Sequence, residues 1–177
     1  MRKVIMALVV LCAAISATTA SASAATAGCE TSGTIKLSPG LSSVAQVQTV
    51  TIKGTLKNCS GEESSVTSGK YEAHYKTAEA VTCATLTSAG AAAADSNIVL
   101  KWTPKGQGNS MGTFSMPLTE APGTSLGGSI ESGPFAGAAI GGSVSESYTG
   151  GSSCGASVGK KKAKKVNKGT FTGTLSV

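Results

Sequence analysis

Four cysteines, Cys29, Cys59, Cys83 and Cys154, follow a leader-like N-terminus in a chain whose remaining apolar residues tend to recur at every second position. An even set of cysteines behind a secretory leader predicts two disulfides made in an oxidising compartment. Period-two patterning predicts strands with one buried face. Together these features restrict the chain to an exported, crosslinked, all-β domain.

The leader opens with Met1-Arg2-Lys3, continues through an apolar run from Val4 to Ile15 that is too short to span a bilayer, and passes into small residues up to Ala27. Ala-x-Ala sites fall at Ala20-Ser21-Ala22, Ala22-Ser23-Ala24 and Ala25-Thr26-Ala27. Use of the last makes 1–27 the removed segment and 28–177 a single secreted domain. Ala27-Gly28-Cys29 also matches the end of a lipobox, but Thr26 stands where a large apolar residue is usual, and acylating Cys29 would leave an odd cysteine. Cys12 departs with the leader, and no later stretch is apolar enough for a transmembrane helix.

Alternation is clear at Ile35 and Leu37, at Val50, Ile52, Gly54 and Leu56, and at Tyr71, Ala73 and Tyr75, whose neighbours Lys70, Glu72, His74 and Lys76 form a wet face. Val81, Cys83 and Thr85 suggest a further short strand, and Ser88 to Asp95 a loop of small residues. Ile98, Leu100 and Trp102 run up to Pro104, and Phe114, Met116 and Leu118 enclose Pro117; either proline ends a strand or marks an edge. From Thr119 to Gly155 glycine and serine dominate, with weaker strand signals at Leu126–Ser132 and Ala139–Tyr148. Phe171, Gly173, Leu175 and Val177 form a terminal strand. Eight to ten short strands without intervening helices predict antiparallel pairing in an immunoglobulin-like β-sandwich, with a closed barrel as the alternative. Folding Ile35–Leu37 back on Val50–Leu56 brings Cys29 beside Cys59 and leaves Cys83 for Cys154. All three pairings of four cysteines remain open at this point.

The words Lys36-Leu37-Ser38-Pro39-Gly40-Leu41, Gly54-Thr55-Leu56 leading to Cys59-Ser60-Gly61, Ser132-Gly133-Pro134-Phe135-Ala136-Gly137 and Thr170-Phe171-Thr172-Gly173-Thr174-Leu175 give the chain a resemblance to a group of small secreted actinobacterial four-cysteine β-sandwich proteins. The likeness extends over the whole mature length, with cysteines in corresponding places. It implies fold and export, and carries no known activity. The lysine run near the C-terminus is not part of that group's pattern.

Catalytic motifs find little support. Gly123-Thr124-Ser125-Leu126-Gly127 and Gly151-Ser152-Ser153-Cys154-Gly155 spell the nucleophile elbow, but no histidine or aspartate follows either serine. His74 and Asp95 precede the later serines in a protease-like order, yet His74 lies on a polar strand face. The acids, Glu146 among them, are assigned to turns and polar faces, so no carboxylate pair is expected in a cleft. One histidine and no Cys-x-x-Cys make zinc a poor fit. The chain is therefore expected to be non-enzymatic, without metal or cofactor, and monomeric.

Beyond Arg2 and Lys3 every cation is a lysine, and six of them, Lys160, Lys161, Lys162, Lys164, Lys165 and Lys168, sit together in what reads as an exposed hairpin loop. Such a cluster attracts polyanions with little geometric selectivity: an anionic envelope polymer such as teichoic acid, or another polyanion, among them anionic lipid headgroups, extracellular DNA and host glycosaminoglycans. Equally, it can solubilise a loop and guard the last strand against edge pairing. Sequence-specific nucleic-acid reading is excluded by the lack of arginine forks. A second candidate role is a small-ligand carrier with a cleft lined by Trp102, Phe114, Phe135 or Tyr148. An extracellular hydrolase based on His74 is the third.

Overall fold

In the computed structural model, residues 26–61, 65–88, 93–151, 154 and 164–177 are described, Asp95 by its backbone alone. Among the described residues nine strands occur in chain order: β1 Gly28–Leu41, β2 Thr49–Ser60, β3 Ser68–Thr77, β4 Ala93–Thr103, β5 Asn109–Ser115, β6 Thr124–Ser125, β7 Gly127–Ser132, β8 Gly141–Tyr148 and β9 Val166–Ser176. Apart from Val81, Cys83 and Thr85, the clear apolar alternations noted above become buried faces. Ile35 and Leu37 on β1, Val50, Ile52 and Leu56 on β2, and Tyr71, Ala73 and Tyr75 on β3 are all buried, while Lys70 and Lys76 are exposed and Glu72 and His74 half-exposed. Pro104 and Pro117 lie just beyond β4 and β5, where a missing N–H costs no ladder bond.

All nine strands belong to one antiparallel sheet, ordered β6-β8-β9-β1-β2-β3-β4-β5-β7, curled into a half-barrel. This single sheet takes the place of the expected two-sheet sandwich. β7, at one edge of the sheet, is bonded to the segment that follows it and leads into β8: Ile130 N donates to Ala138 O at 2.9 Å, Ile140 N to Gly128 O at 2.9 Å, and Gly137 N to Ile130 O at 2.8 Å. Edge groups that would otherwise be open to another chain are thereby used.

Glycine on the inner face makes the curl possible. Phe171, Gly33, Gly54 and Tyr71 lie side by side across β9, β1, β2 and β3. A Cβ on Gly33 would come 2.6 Å from the Phe171 ring, and one on Gly54 would come 2.3 Å from the Tyr71 ring. The two rings fill the space above the bare backbone, 6.4 Å apart between centroids. Removing side chains from the crowded concave side lets a sheet bend. Around them pack Ile98, Leu100, Phe114, Met116, Val144 and Leu175. Trp102 closes the far end, its indole N–H donating to Ser110 Oγ at 2.8 Å and its ring meeting Phe135 edge-on at 5.0 Å.

The disulfides link Cys29 to Cys59 and Cys83 to Cys154. Cys29–Cys59 ties adjacent strands β1 and β2 at one end of the half-barrel. At the other end the expected strand through Val81, Cys83 and Thr85 is instead a 3₁₀ helix, Cys83–Thr87, and only Val81 makes a bridge, to Gln46. Local side-chain bonding explains the difference: Thr82 Oγ1 accepts from Ala84 N while Thr85 Oγ1 accepts from Thr82 N, which tightens the turn. The helix buries Leu86, whose carbonyl accepts from Glu120 N at 2.8 Å. Part of the expected loop Ser88–Asp95 is also strand, since Ala93 and Ala94 pair with Thr77 and Lys76 beyond a bulge in β4. Alanines there carry no apolar alternation to announce it.

Candidate functional site

The outward-pointing residues of the central strands form the most extensive polar constellation in the fold. Successive registers bring together the row Ser145, Thr172, Ser32, Thr55, Lys70 and Lys101, and beside it the row Ser147, Thr170, Thr34, Lys53, Glu72 and Val99. A third row runs Lys168, Lys36, Thr51, His74 and Asn97. β-branched threonine suits a pleated solvent face, and short hydroxyls leave room between the long lysines. Over these rows the curled sheet forms a depression of about 1030 Å³ reaching from Thr170 and Thr172 to Lys101. A second, of about 770 Å³, adjoins it toward the Cys29–Cys59 end and is lined by Lys57, Lys70, Lys101 and Lys105.

At the centre of this face Glu72 Oε1 meets Lys53 Nζ at 3.3 Å and His74 Nε2 at 3.2 Å. The Lys53 ammonium beside it holds the Glu72 carboxyl below the usual carboxylate range. Thr51 Oγ1 lies 3.3 Å from His74 Nδ1, so Thr51, His74 and Glu72 line up in the order of a hydroxyl, a base and an acid. The set lies on the outer face of the sheet. It is half-exposed to water, and the strand N–H groups around it are engaged in the ladder rather than converging on an oxyanion.

Of the clustered lysines, Lys164 and Lys165 are exposed directly before β9, and Lys168 belongs to β9 itself, opposite Lys36. The loop is therefore shorter at its C-terminal end than the run of lysines suggests. Lys160, Lys161 and Lys162 lie outside the described residues. The hairpin connection does join neighbouring antiparallel strands, β8 and β9. Trp102, Phe114 and Tyr148 are buried in the core and Phe135 is half-buried against Trp102, so these rings pack on one another and on the sheet rather than around an open cleft. Ser125 stands on the two-residue strand β6 with no helix after it, unlike a nucleophile elbow; Ser152, Ser153 and the Asp95 side chain lie outside the described residues.

Glu146 departs most from expectation. Instead of a polar surface it occupies the inner face of β8 between Val144 and Tyr148, with only 6% of its surface exposed. Tyr148 donates its hydroxyl to Glu146 Oε2, Thr119 N donates to the same oxygen at 3.4 Å, and Oε1 is buried without a partner. Burial pushes the carboxyl up to about 7. The same burial, reinforced by Glu146, raises the Tyr75 and Tyr148 hydroxyls well above the ordinary phenol range. Parity along Gly142, Val144, Glu146 and Tyr148 is the signal that could have found it.

Among the described residues no helix is long and apolar enough to cross a membrane, and no three His, Cys, Asp or Glu side chains are grouped to hold a metal. The central outer face carries threonine, serine and lysine where a lipid-facing barrel carries an apolar band. Comparison with protein-family models, with curated proteins and with solved structures finds no match to this chain.

Proposed function

We propose that the chain is an exported, non-enzymatic module that binds an anionic polymer of the cell envelope. The observation that carries this reading is the basic outer face. Lys164, Lys165 and Lys168 follow the β8–β9 connection, and Lys168 lies beside Lys36 in the β1–β9 register. Directly opposed like charges cost stability unless something neutralises them. Ammonium groups on flexible stems suit loose, salt-sensitive contact with polyanions.

The test is retention of the oxidised protein on isolated envelopes across a salt gradient, beside a variant with Lys160, Lys161, Lys162, Lys164, Lys165 and Lys168 changed to glutamine. Wild type is expected to bind and to elute as salt rises, with the variant eluting at distinctly lower salt. Retention indifferent to salt and to the six substitutions would overturn the reading.

Export under this proposal has its own expected result. Ala27 is buried and exchanges two backbone hydrogen bonds with Val177, at 2.8 and 2.9 Å, so the folded sheet uses a residue that cleavage after Ala27 would discard. Cleavage at Ala22-Ser23-Ala24 keeps both bonds and gives a chain starting at Ala25. Intact-mass measurement of the exported protein should find that start; a start at Gly28 would show the pairing to be dispensable.

A further inference from the structure

We infer that the depression between Lys57, Lys70, Lys101 and Lys105 is a second anion-binding seat, and that the outer face connecting it to the lysines at the start of β9 binds a linear polymer of sugar or polyol units bearing phosphate or sulfate groups. The inference rests on the polyanion reading above and specifies both the surface and the polymer.

Charge is the first support. Lys70 and Lys101 stand directly opposite one another on β3 and β4, with Cβ atoms about 5 Å apart as in any such pair. Lys57 and Lys105 border the same depression, whose lining includes no carboxylate. Among the described residues none of the four makes an ion pair, while Lys53 on the neighbouring row is paired with Glu72. Glu30, opposite Lys57 in the β1–β2 register, accepts from Asn58 Nδ2 at 2.9 Å. Four ammonium groups around one hollow repel each other, and a bound anion removes that repulsion.

Spacing is the second. The pair Lys36 and Lys168 recurs in the row of Thr51, and the pair Lys70 and Lys101 in the row of Thr55. Four residues along β2 separate the rows, about 13 Å. A single small anion cannot touch both pairs, whereas a chain with recurring charges can.

The surface between the pairs selects the kind of chain. Ser32, Thr34, Thr55, Thr170 and Thr172 line the larger depression with hydroxyls, which hydrogen-bond to hydroxylated units. Tyr71 and Phe171 lie beneath it but are only 4% and 2% exposed, so neither offers a face on which a base could stack. Single-stranded nucleic acid depends on such stacking. Hydroxyls between lysines, without an exposed phenyl, phenol or indole ring, without arginine, and with the His74 ring engaged by Thr51 and Glu72, favour a phosphorylated or sulfated polyol or glycan.

The experiment compares wild type, the six-lysine variant and K57Q/K70Q/K101Q/K105Q by titration of fluorescent polyglycerol phosphate, dextran sulfate and single-stranded DNA at several salt concentrations. The groove substitutions are all on exposed side chains, and equal or raised melting temperature will verify the fold. The groove variant is expected to bind polyglycerol phosphate or dextran sulfate at least tenfold more weakly at low salt, with the slope of log affinity against log salt reduced by about 3 for four contacts. Whichever of the two polymers binds more tightly identifies the ionic group. A groove variant that binds like wild type, while the six-lysine variant does not, overturns the seat and leaves the polyanion reading standing. Failure of wild type to bind any polymer overturns both. DNA bound as tightly as the other two, with the same groove dependence, overturns the choice of a hydroxylated polymer.

Discussion

Replacing Cys83 and Cys154 together by alanine is expected to lower stability by about 4 kcal/mol, the chain-entropy value for a crosslink of this span. The two cysteines are 71 residues apart in sequence. Their bridge does what no ladder bond does: it holds the 3₁₀ helix Cys83–Thr87 to the segment between β8 and β9, and so keeps Leu86 over the end of the core. The Cys29–Cys59 bridge spans 30 residues and joins strands already paired from Gly28 opposite Ser60 to Ser38 opposite Thr49. Its loss should therefore leave the sheet's connectivity intact. Urea unfolding of the Cys83→Ala/Cys154→Ala variant is the measurement, with hydrogen exchange to locate the damage. Amides at Thr119 and Glu120, which are tied to Glu146 and Leu86, should lose protection before those of β1 and β2. A loss below 1 kcal/mol would show that the helix stays docked without the crosslink.

Strand identity was readable wherever buried and exposed residues alternate, as along Val50 to Leu56 or Phe171 to Val177, because parity alone separates the two faces. Sheet membership was not. A strand with one buried face looks the same in a sandwich as in a curled sheet, and the difference here lies in Gly33 and Gly54, whose empty inner positions are filled by Phe171 and Tyr71 from other strands. That relation exists only once the register is known. The same holds for the candidate site. Lys57, Lys70, Lys101 and Lys105 are scattered along the chain and look like ordinary solvated residues; β2, β3, β4 and the turn after β4 gather them. The compact Lys160–Lys168 run, by contrast, was visible as a word in the sequence. At Cys83–Thr87 threonine hydroxyls overrode an apparent alternation, and in β8 a charge-based reading of Glu146 overrode a parity that was correct.

Glu146 leads to the other large expected effect, a stability that falls as pH rises from about 4.5 to about 7. Its carboxyl is held up to about 7 in the folded state against 4.5 for the ordinary group. Below 4.5 both folded and unfolded chains carry the proton, and the contribution is fully present. Between the two values the unfolded chain releases its proton while the folded one retains it, so each pH unit removes about 1.4 kcal/mol. Above 7 the folded carboxyl ionises too, and the loss levels off at about 3 kcal/mol. The groups facing Glu146 do not offset its burial: Tyr148 on β8 and Tyr75 on β3 are phenols held neutral, Tyr75 donating a hydrogen bond to Met116 O at 2.6 Å, and Glu120 lies nearby as a further acid. An ionised Glu146 thus has a buried Oε1 with no donor, beneath the segment that carries Thr119. Urea unfolding of wild type and Glu146→Gln between pH 4.5 and 8 checks this. The amide has no proton to lose, so the variant's profile should be nearly flat over the window in which wild type declines. His74, with its contact to Glu72, sits on the outer face in both proteins and cancels in the comparison. Parallel profiles would mean that water or local rearrangement solvates the carboxylate, and that Glu146 is ionised in the folded protein at neutral pH.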